Sequence, residues 1–297
     1  INRVRAQVVA GLTSDTKDPD TIVSLRFDAL AFGDHPYGSG SDGTIESVSA
    51  LTRDDFNAAH LGTLTRDRVY VAAVGDISAD QLTALLDQLL SELPDSGRAL
   101  PSKVDYGLGG GTTVVDFDTP QSVAIFGQRG IERDHPDFFA AYLVNQILGG
   151  GSFESRLMEE VREKRGLTYG VYSYLLPKDF SNLYIGRVAS ANNRIAEAIA
   201  VIRAEWARMA NSGVTQDELR RAKTYLTGSY PLRFDGNGPI ANIMVGMQMQ
   251  GLPVAYITSR NDKINAVTLE DANRVAQQLL DPEGLHFVVV GRPEGLE

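Results

Sequence analysis

The sequence predicts an α+β protein with tandem homologous domains, each a mostly antiparallel sheet with helices on one face, the first domain being incomplete. Strand and helix patterns occur in clusters instead of alternating strictly, which is typical of α+β folds. Short turns join neighbouring strand patterns, which favours antiparallel pairing. A repeat at an offset of 216 residues indicates the tandem arrangement.

The repeat rests on three motifs that share this offset. Residues 46–55 align without a gap on residues 262–271. Each copy is followed by a predicted strand, ending at Val74-Gly75 and at Val290-Gly291, and Arg5-Ala6 aligns on Arg221-Ala222. Three motifs at one offset favour duplication, and the alternative is a recurring pattern of helix-start residues.

Helix starts in both copies carry the same capping pattern. Thr52 and Thr268 are good N-caps, and Asp55 and Asp271 follow three residues later, where a carboxylate favours the positive helix end. We therefore interpret these acidic residues as helix-start residues and not as catalytic groups.

The repeat also predicts the domain organisation. Residues 112–297 form a complete second domain, the Gly-rich residues 95–111 form a linker, and residues 1–94 are the rear half of a first domain. The front of that first copy would fall before Ile1. Because the chain opens without an initiator Met, we expect it to be processed or cut, and whether the preceding part is cleaved or omitted stays open.

The elements of the complete copy follow from periodicity and turn residues. Strands are predicted at 112–117 and 122–127 around a turn at 118–121, then at 167–175, 183–189 and 285–290. Helices are predicted at 137–148, 152–164 with Ser152 as N-cap, 218–230, 240–250 and 268–279. A further helix carries one apolar face made of Ile195, Ala198, Ile199, Ile202, Trp206 and Met209. Trp206 and the methionines Met244, Met247 and Met249 are interpreted as packing residues.

Composition excludes several classes of protein. The chain has 297 residues with 28 basic and 38 acidic side chains, a net charge of −10, which disfavours a nucleic-acid partner. No apolar run approaches the ~20 residues that a membrane span needs. The absence of cysteine excludes disulfides and thiol nucleophiles but leaves the compartment undecided.

Common catalytic motifs are missing from this sequence. The four histidines are His35, His60, His135 and His286, too far apart to share a helix face, and H-x-x-E-H is absent. No serine lies in a G-x-S-x-G turn, and the Gly runs lack the Lys-Ser/Thr ending of a phosphate loop. We therefore predict no metal site and no catalytic residue within this chain.

One segment suggests a substrate-binding site. It runs from the glycines Gly149, Gly150 and Gly151 to Tyr169. Arg162 ends a predicted helix, Gly166 provides a turn, and Tyr169 begins the next strand. A guanidinium and a phenol are hydrogen-bond donors that could converge on a peptide carbonyl oxygen. The alternative is a surface arginine favoured by the helix dipole, with the tyrosine filling the sheet.

The residues from Gly149 to Tyr169 resemble the second domain of pitrilysin/insulinase-type zinc peptidases, which include mitochondrial processing peptidase. His35-Pro36-Tyr37-Gly38, residues 51–55 and residues 72–76 resemble the rear half of the first domain of that family. The resemblance implies two homologous α+β domains that close around an unfolded peptide. It also implies that Arg162 and Tyr169 hold substrate and stabilise the reacting carbonyl, with Gly149, Gly150 and Gly151 near the substrate or forming a turn between helices.

Two departures from the family pattern shape the functional prediction. H-x-x-E-H is absent, and residues 3–12, where a further Glu ligand should lie, contain no Glu, with Gly11 near its place. We therefore predict a non-catalytic subunit, inactive alone, with zinc expected in a partner chain or in the missing half. The predicted partners are an H-x-x-E-H-bearing homologous subunit or a second copy, and peptide substrates. A structural relative without proteolytic role and a trimmed self-sufficient zinc endopeptidase remain alternatives. The compartment stays open between bacterial periplasm and cytoplasm.

Overall fold

The computed structural model describes residues 1–150 and 154–296, with helices first and a sheet later in the chain. The first helices are α1 (Asn2–Asp15), α2 (Pro19–Phe32), α3 (Ile45–Ala50), α4 (Arg53–Thr63) and α5 (Ala79–Leu90). The strands are β1 (Gly111–Asp116), β2 (Gln121–Arg129), β3 (Val171–Pro177), β4 (Asn182–Ala191) and β5 (His286–Gly291). The later helices are α6 (Phe138–Gly149), α7 (Ile195–Ser212), α8 (Gln216–Gly228), α9 (Asn237–Met249), α10 (Tyr256–Ala266) and α11 (Leu269–Leu279), with a π-helix at Met158–Glu163.

The described strands form one sheet in the order β1-β5-β2-β4-β3. β5 is parallel to β1, and the other pairs are antiparallel. The hairpin that the turn at 118–121 suggested is wrong, because β5 lies between β1 and β2. Every residue of β5 is buried, and a strand that is apolar along its length belongs in the middle of a sheet.

Both faces of the sheet are covered. On one face, α6, α7, α8, α10 and α11 build the larger core around Phe126 and Phe287. On the other face, Val23 and Phe27 of α2 pack with Ile125 and other residues of β2, β4 and β5. The predicted α+β class is confirmed, with the later helices on one face of a mostly antiparallel sheet, and α2 is an additional layer that the sequence pattern did not indicate.

Apart from the one predicted at 152–164, the predicted helices agree with the observed ones to within a few residues. All six apolar residues assigned to the face of α7 are buried, and Trp206 is fully enclosed, which confirms its packing role. The interpretation of the methionines is wrong in part, because Met247 is buried while Met244 and Met249 are 37% and 59% exposed. None of the described helices is long and apolar enough to cross a bilayer.

The predicted capping pattern is confirmed in both copies of the repeat. Thr52 and Asp55 form a reciprocal capping box at the start of α4, and Thr268 and Asp271 form one at the start of α11. The bounds of these two helices differ by the repeat offset at both ends. The division of the chain at residues 94 and 111 stays a prediction.

The strand predicted to end at Val74-Gly75 is wrong. Residues 69–74 pair with none of the strands in the described chain. Gln248 on α9 donates a side-chain hydrogen bond to the carbonyl oxygen of Val71 at 2.9 Å. A strand needs a neighbouring strand to satisfy its backbone groups, and β5, its counterpart in the repeat, has one on each side.

Candidate functional site

Arg162 and Tyr169 lie on either side of a short connection. Arg162 is in the last turn of the π-helix, and its Nη1 lies 3.6 Å from Oε1 of Glu163. Tyr169 comes two residues before β3 begins and is 89% exposed. The π-helix therefore replaces the end of the predicted 152–164 helix, while Gly151 and the predicted N-cap Ser152 lie outside the described residues.

Hydrogen bonds hold the end of the π-helix. The backbone N–H groups of Lys164, Gly166 and Leu167 donate to the carbonyl oxygens of residues 159, 162 and 161, respectively. The carbonyl oxygen of Glu160 accepts from Nη1 of Arg165 at 2.7 Å. Gly166 has a φ of +59°, which lets the chain reverse here without the steric cost of a Cβ atom. This end is consequently a defined structure from which Arg162 projects.

Hydrogen bonds to β4 hold the backbone directly before Tyr169. Leu167 is buried, and its carbonyl oxygen accepts a hydrogen bond from the hydroxyl of Ser190. The hydroxyl of Thr168 donates to the carbonyl oxygen of Ala189 at 2.6 Å and accepts from the N–H of Gly170 at 3.1 Å. The exposed phenol thus stands on a segment that is fixed to β4.

Further tyrosines continue from Tyr169 along β3. Tyr172 and Tyr174 are each 41% exposed, and their ring centroids lie 6.3 Å apart with an interplanar angle of 23°. Successive odd or even residues of a strand share one face, so these two rings lie side by side on the sheet. Sequence reasoning placed both in the strand without assigning them a role.

The glycines at the end of α6 have a packing explanation. A Cβ atom at Gly149 would collide with the hydroxyl of Ser173 and lie 2.8 Å from Cδ1 of Leu157. One at Gly150 would lie 2.6 Å from Cα of Gln146. Both glycines therefore permit the close approach of the end of α6 to its surroundings, and the contact with substrate assigned to Gly149 and Gly150 stays a prediction.

Replacing Gly149 by alanine should lower the free energy of unfolding by roughly 1–3 kcal/mol, the usual cost of overpacking a filled site. Gly228 is the matched control, since it also ends a helix but has open space around its Cα hydrogens. Gly228→Ala should be neutral or slightly stabilising because alanine favours helix. Urea unfolding of both variants measures the difference, and equal stabilities would contradict this account of Gly149.

A buried ion pair formed by Arg156, two residues before the π-helix, escaped sequence analysis. Nε and Nη2 of Arg156 donate to the two carboxylate oxygens of Glu218 at 2.7 and 2.9 Å, and Nη2 also donates to the carbonyl oxygen of Gly213. Burial alone would raise the pKa of Glu218, yet hydrogen bonds from Arg156 and Thr215 lower it to about 2. The Thr215-x-x-Glu218 capping box was visible in the sequence, but the arginine lies 62 residues away.

The histidines of this chain bond to other groups of the protein or lie apart from acidic side chains that could join them around a zinc ion. His35 contacts the carbonyl oxygen of Ser102, and His286 contacts Thr113 and the carbonyl oxygen of Gly109. Across residues 1–150 and 154–296, no three His, Asp or Glu side chains lie close enough to hold a metal ion. The side chains of the described residues therefore do not fit a zinc ion.

Comparison with protein families gives one match over more than half of the chain. Residues 50–226 match the model described as the peptidase M16 inactive domain. A protein of Mycobacterium leprae named as an uncharacterized zinc protease is 32% identical over 268 residues, 89% of this chain and 60% of that protein. A Helicobacter pylori protein named a non-peptidase homolog is 25% identical over 98% of this chain and 67% of its own. This chain thus spans about three fifths of the length of the mycobacterial relative.

Solved structures share the fold over nearly the whole chain. The crystal structure of a peptidase M16 inactive domain from Pseudomonas fluorescens superposes with a TM-score of 0.90 at 30% identity, covering 100% of this chain and 71% of the other. A chain in complex III of Candida albicans gives a TM-score of 0.82 at 16% identity, covering 98% and 71%. That second likeness shows the fold alone.

Proposed function

The chain belongs to the peptidase M16 family, and we propose that it grips extended peptides for a homologous zinc-bearing partner. It supplies Arg162 and Tyr169 to the peptide and no metal ligand. The observation that carries the proposal is the 89% exposed Tyr169 on a hydrogen-bonded segment that leads directly into β3.

The edge of the sheet supports this proposal. β3 is the last strand in the sheet order, so one side of its backbone has no strand beside it among the described residues. Such an edge offers backbone N–H and C=O groups to an extended peptide, and side-chain surfaces next to it give the peptide preferred positions. Tyr172 and Tyr174 provide such surfaces, because both rings are partly exposed beside the edge.

The chemistry of the two donors supports the same role. The guanidinium of Arg162 and the phenol of Tyr169 can each donate to a peptide carbonyl oxygen. Donors held in place before the peptide arrives stabilise negative charge that develops on such an oxygen. The net charge of −10 favours basic peptides over acidic ones. The proposed complex is a heterodimer with an H-x-x-E-H-bearing chain, or else a homodimer.

Arg162→Ala and Tyr169→Phe should each raise the Kd for a fluorophore-labelled, unfolded basic peptide about tenfold, since each removes a hydrogen bond involving the peptide. Tyr70→Phe is the control, because Tyr70 is also exposed at 47% but lies outside the site. Fluorescence anisotropy gives the Kd values. If both site variants bind as tightly as the unchanged chain, the assigned roles are wrong.

The division of labour needs a second assay. The purified chain should leave the peptide intact, and mixing it with an H-x-x-E-H homologue from the same genome should produce cleavage that falls in both site variants. Cleavage by the purified chain, with loss of cleavage on adding a chelator, would favour a self-sufficient peptidase.

A binding or structural role without proteolysis is the second candidate. It is favoured by the likeness to the Helicobacter pylori protein named a non-peptidase homolog. It predicts a stable complex with a partner in which Arg162→Ala leaves every cleavage rate unchanged. The mixing experiment therefore separates the two candidates.

A further inference from the structure

We propose that Arg165 is a positioning residue that holds Arg162 and Tyr169 in the arrangement needed to grip a peptide. The inference rests on the proposed function and adds a residue that neither the sequence pattern nor the family likeness singles out. Arg165 lies in the connection between Arg162 and Tyr169. Its side chain donates to the end of the π-helix, and its backbone carbonyl oxygen accepts from Arg194.

On one side, the guanidinium of Arg165 closes the end of the π-helix. Its Nη1 donates to the carbonyl oxygen of Glu160 and to Oε2 of the same residue, both at 2.7 Å. The carboxylate of Glu160 is only 14% exposed and also accepts from Nζ of Lys164 at 2.7 Å. Hydrogen bonds from Lys164 and then Arg165 lower the pKa of Glu160, so the carboxylate is charged at neutral pH. The carboxylate therefore orients the guanidinium toward the helix end.

On the other side, the backbone of Arg165 is tied to α7. Nη2 of Arg194 donates to the carbonyl oxygen of Arg165 at 3.3 Å, and Nε of Arg194 donates to Glu197 in the first turn of α7. Arg165 thus joins three pieces of structure: the turn that carries Arg162, the connection to Tyr169, and the helix that packs on the sheet.

Removal of this side chain would loosen one end of the connection. The carbonyl of Glu160 would lose the donor that this structure gives it, which weakens the last turn that carries Arg162. Tyr169 would keep its anchors to β4 through Thr168. The two gripping groups would then move relative to each other while the fold stays intact.

The test compares Arg165→Ala with Lys164→Ala in peptide-binding assays with the same labelled basic peptide. Lys164 is the matched control, since its ammonium contacts Glu159 and Glu160 at 2.8 and 2.7 Å through their carboxylates. Arg165→Ala should raise the Kd about tenfold, the loss expected for one charged hydrogen bond. Lys164→Ala should change it less than about twofold, because the half-exposed ammonium contributes little and Arg165 keeps both of its bonds to Glu160.

A double-variant cycle distinguishes positioning from direct contact. If Arg165 acts through Arg162, Arg165→Ala should have almost no further effect on the Kd in an Arg162→Ala background. An effect of full size in that background would mean that Arg165 touches the peptide or acts elsewhere, and would overturn the inference. A general loss of structure would show as a lower free energy of unfolding, measured on the same samples.

The outcomes also separate this inference from the proposed function. If Arg162→Ala and Tyr169→Phe leave the Kd unchanged, the proposed function fails. If they raise the Kd and Arg165→Ala does not, only the role of Arg165 fails. Should Arg165→Ala not fold, Glu160→Gln replaces it. This variant keeps the backbone acceptor of residue 160 but removes the charge that orients the guanidinium of Arg165. It should also raise the Kd.

Discussion

Trp206→Ala is expected to lower the free energy of unfolding by about 4 kcal/mol, a typical cost of emptying a large aromatic site in a core. Trp206 is fully buried, and its ring centroid lies 4.7 Å from that of Tyr184 and 5.9 Å from that of Phe126. The substitution leaves a cavity between α7 and the sheet that these neighbours cannot fill.

A polar contribution adds to the loss. The indole N–H of Trp206 donates to Oε1 of Gln128 at 2.7 Å, and the same oxygen accepts from the N–H of Asp281. Gln128 is itself buried, so losing a donor leaves part of its hydrogen-bonding capacity unused. Trp206→Phe is the control, since it keeps most of the volume and removes only the donor. Urea unfolding followed by circular dichroism should rank the alanine variant well below the phenylalanine variant, and similar stabilities would contradict the packing argument.

Arg156→Met is expected to cost about 3 kcal/mol at pH 7, because it leaves the carboxylate of Glu218 without its partner. The side chains of Arg156 and Glu218 are 8% and 19% exposed, so water replaces the lost hydrogen bonds poorly. Arg129→Met is the control. Arg129 pairs with Asp105 at 3.1 Å, but both side chains are highly exposed, and its loss should cost under about 1 kcal/mol. Equal losses in the two variants would contradict the importance of burial.

The same pair predicts a pH dependence. The pKa of Glu218 is about 2 in the folded chain against an ordinary value of 4.5, because Arg156 and Thr215 outweigh the effect of burial. A lowered folded-state pKa gives stability that is present above the unfolded value and lost as pH falls through the folded one. The stability difference between the unchanged chain and Arg156→Met should therefore be largest above pH 5 and shrink toward pH 2. A difference that stays constant with pH would show that the carboxylate is not the source.

Local features of the fold could be predicted because their causes lie within a few residues. The capping boxes at Thr52 and Thr268 and the apolar face of α7 depend only on residue type and spacing. The order of the strands in the sheet could not be predicted, because β5 pairs with residues more than 150 positions away. The exposed Met249 shows the same limit, because helical spacing alone does not reveal which surface another element covers.

The candidate site divides in a similar way. The sequence predicted that Arg162 and Tyr169 lie on either side of a glycine turn. Their roles are implied by the family resemblance and stay predictions. The sequence did not predict the hydrogen bonds that Arg165 and Arg156 make near these residues. Arg165 donates a hydrogen bond to the end of a π-helix, whereas the sequence pattern predicts an α-helix there. Arg156 forms an ion pair with Glu218, which lies 62 residues further along the chain on α8.

The central place of β5 also has a consequence for how the molecule assembles. β1 and β2 adjoin in the chain but bond to β5, so neither gains that neighbour until a loop of more than 150 residues has closed. Closing so long a loop is entropically costly, and proteins dominated by such distant contacts fold slowly. During that delay β2 and β4 can already be joined while the other side of β2 stays open. An open strand edge in a folding intermediate invites pairing with another chain, so the order of events, and not only the final structure, governs the yield of refolding.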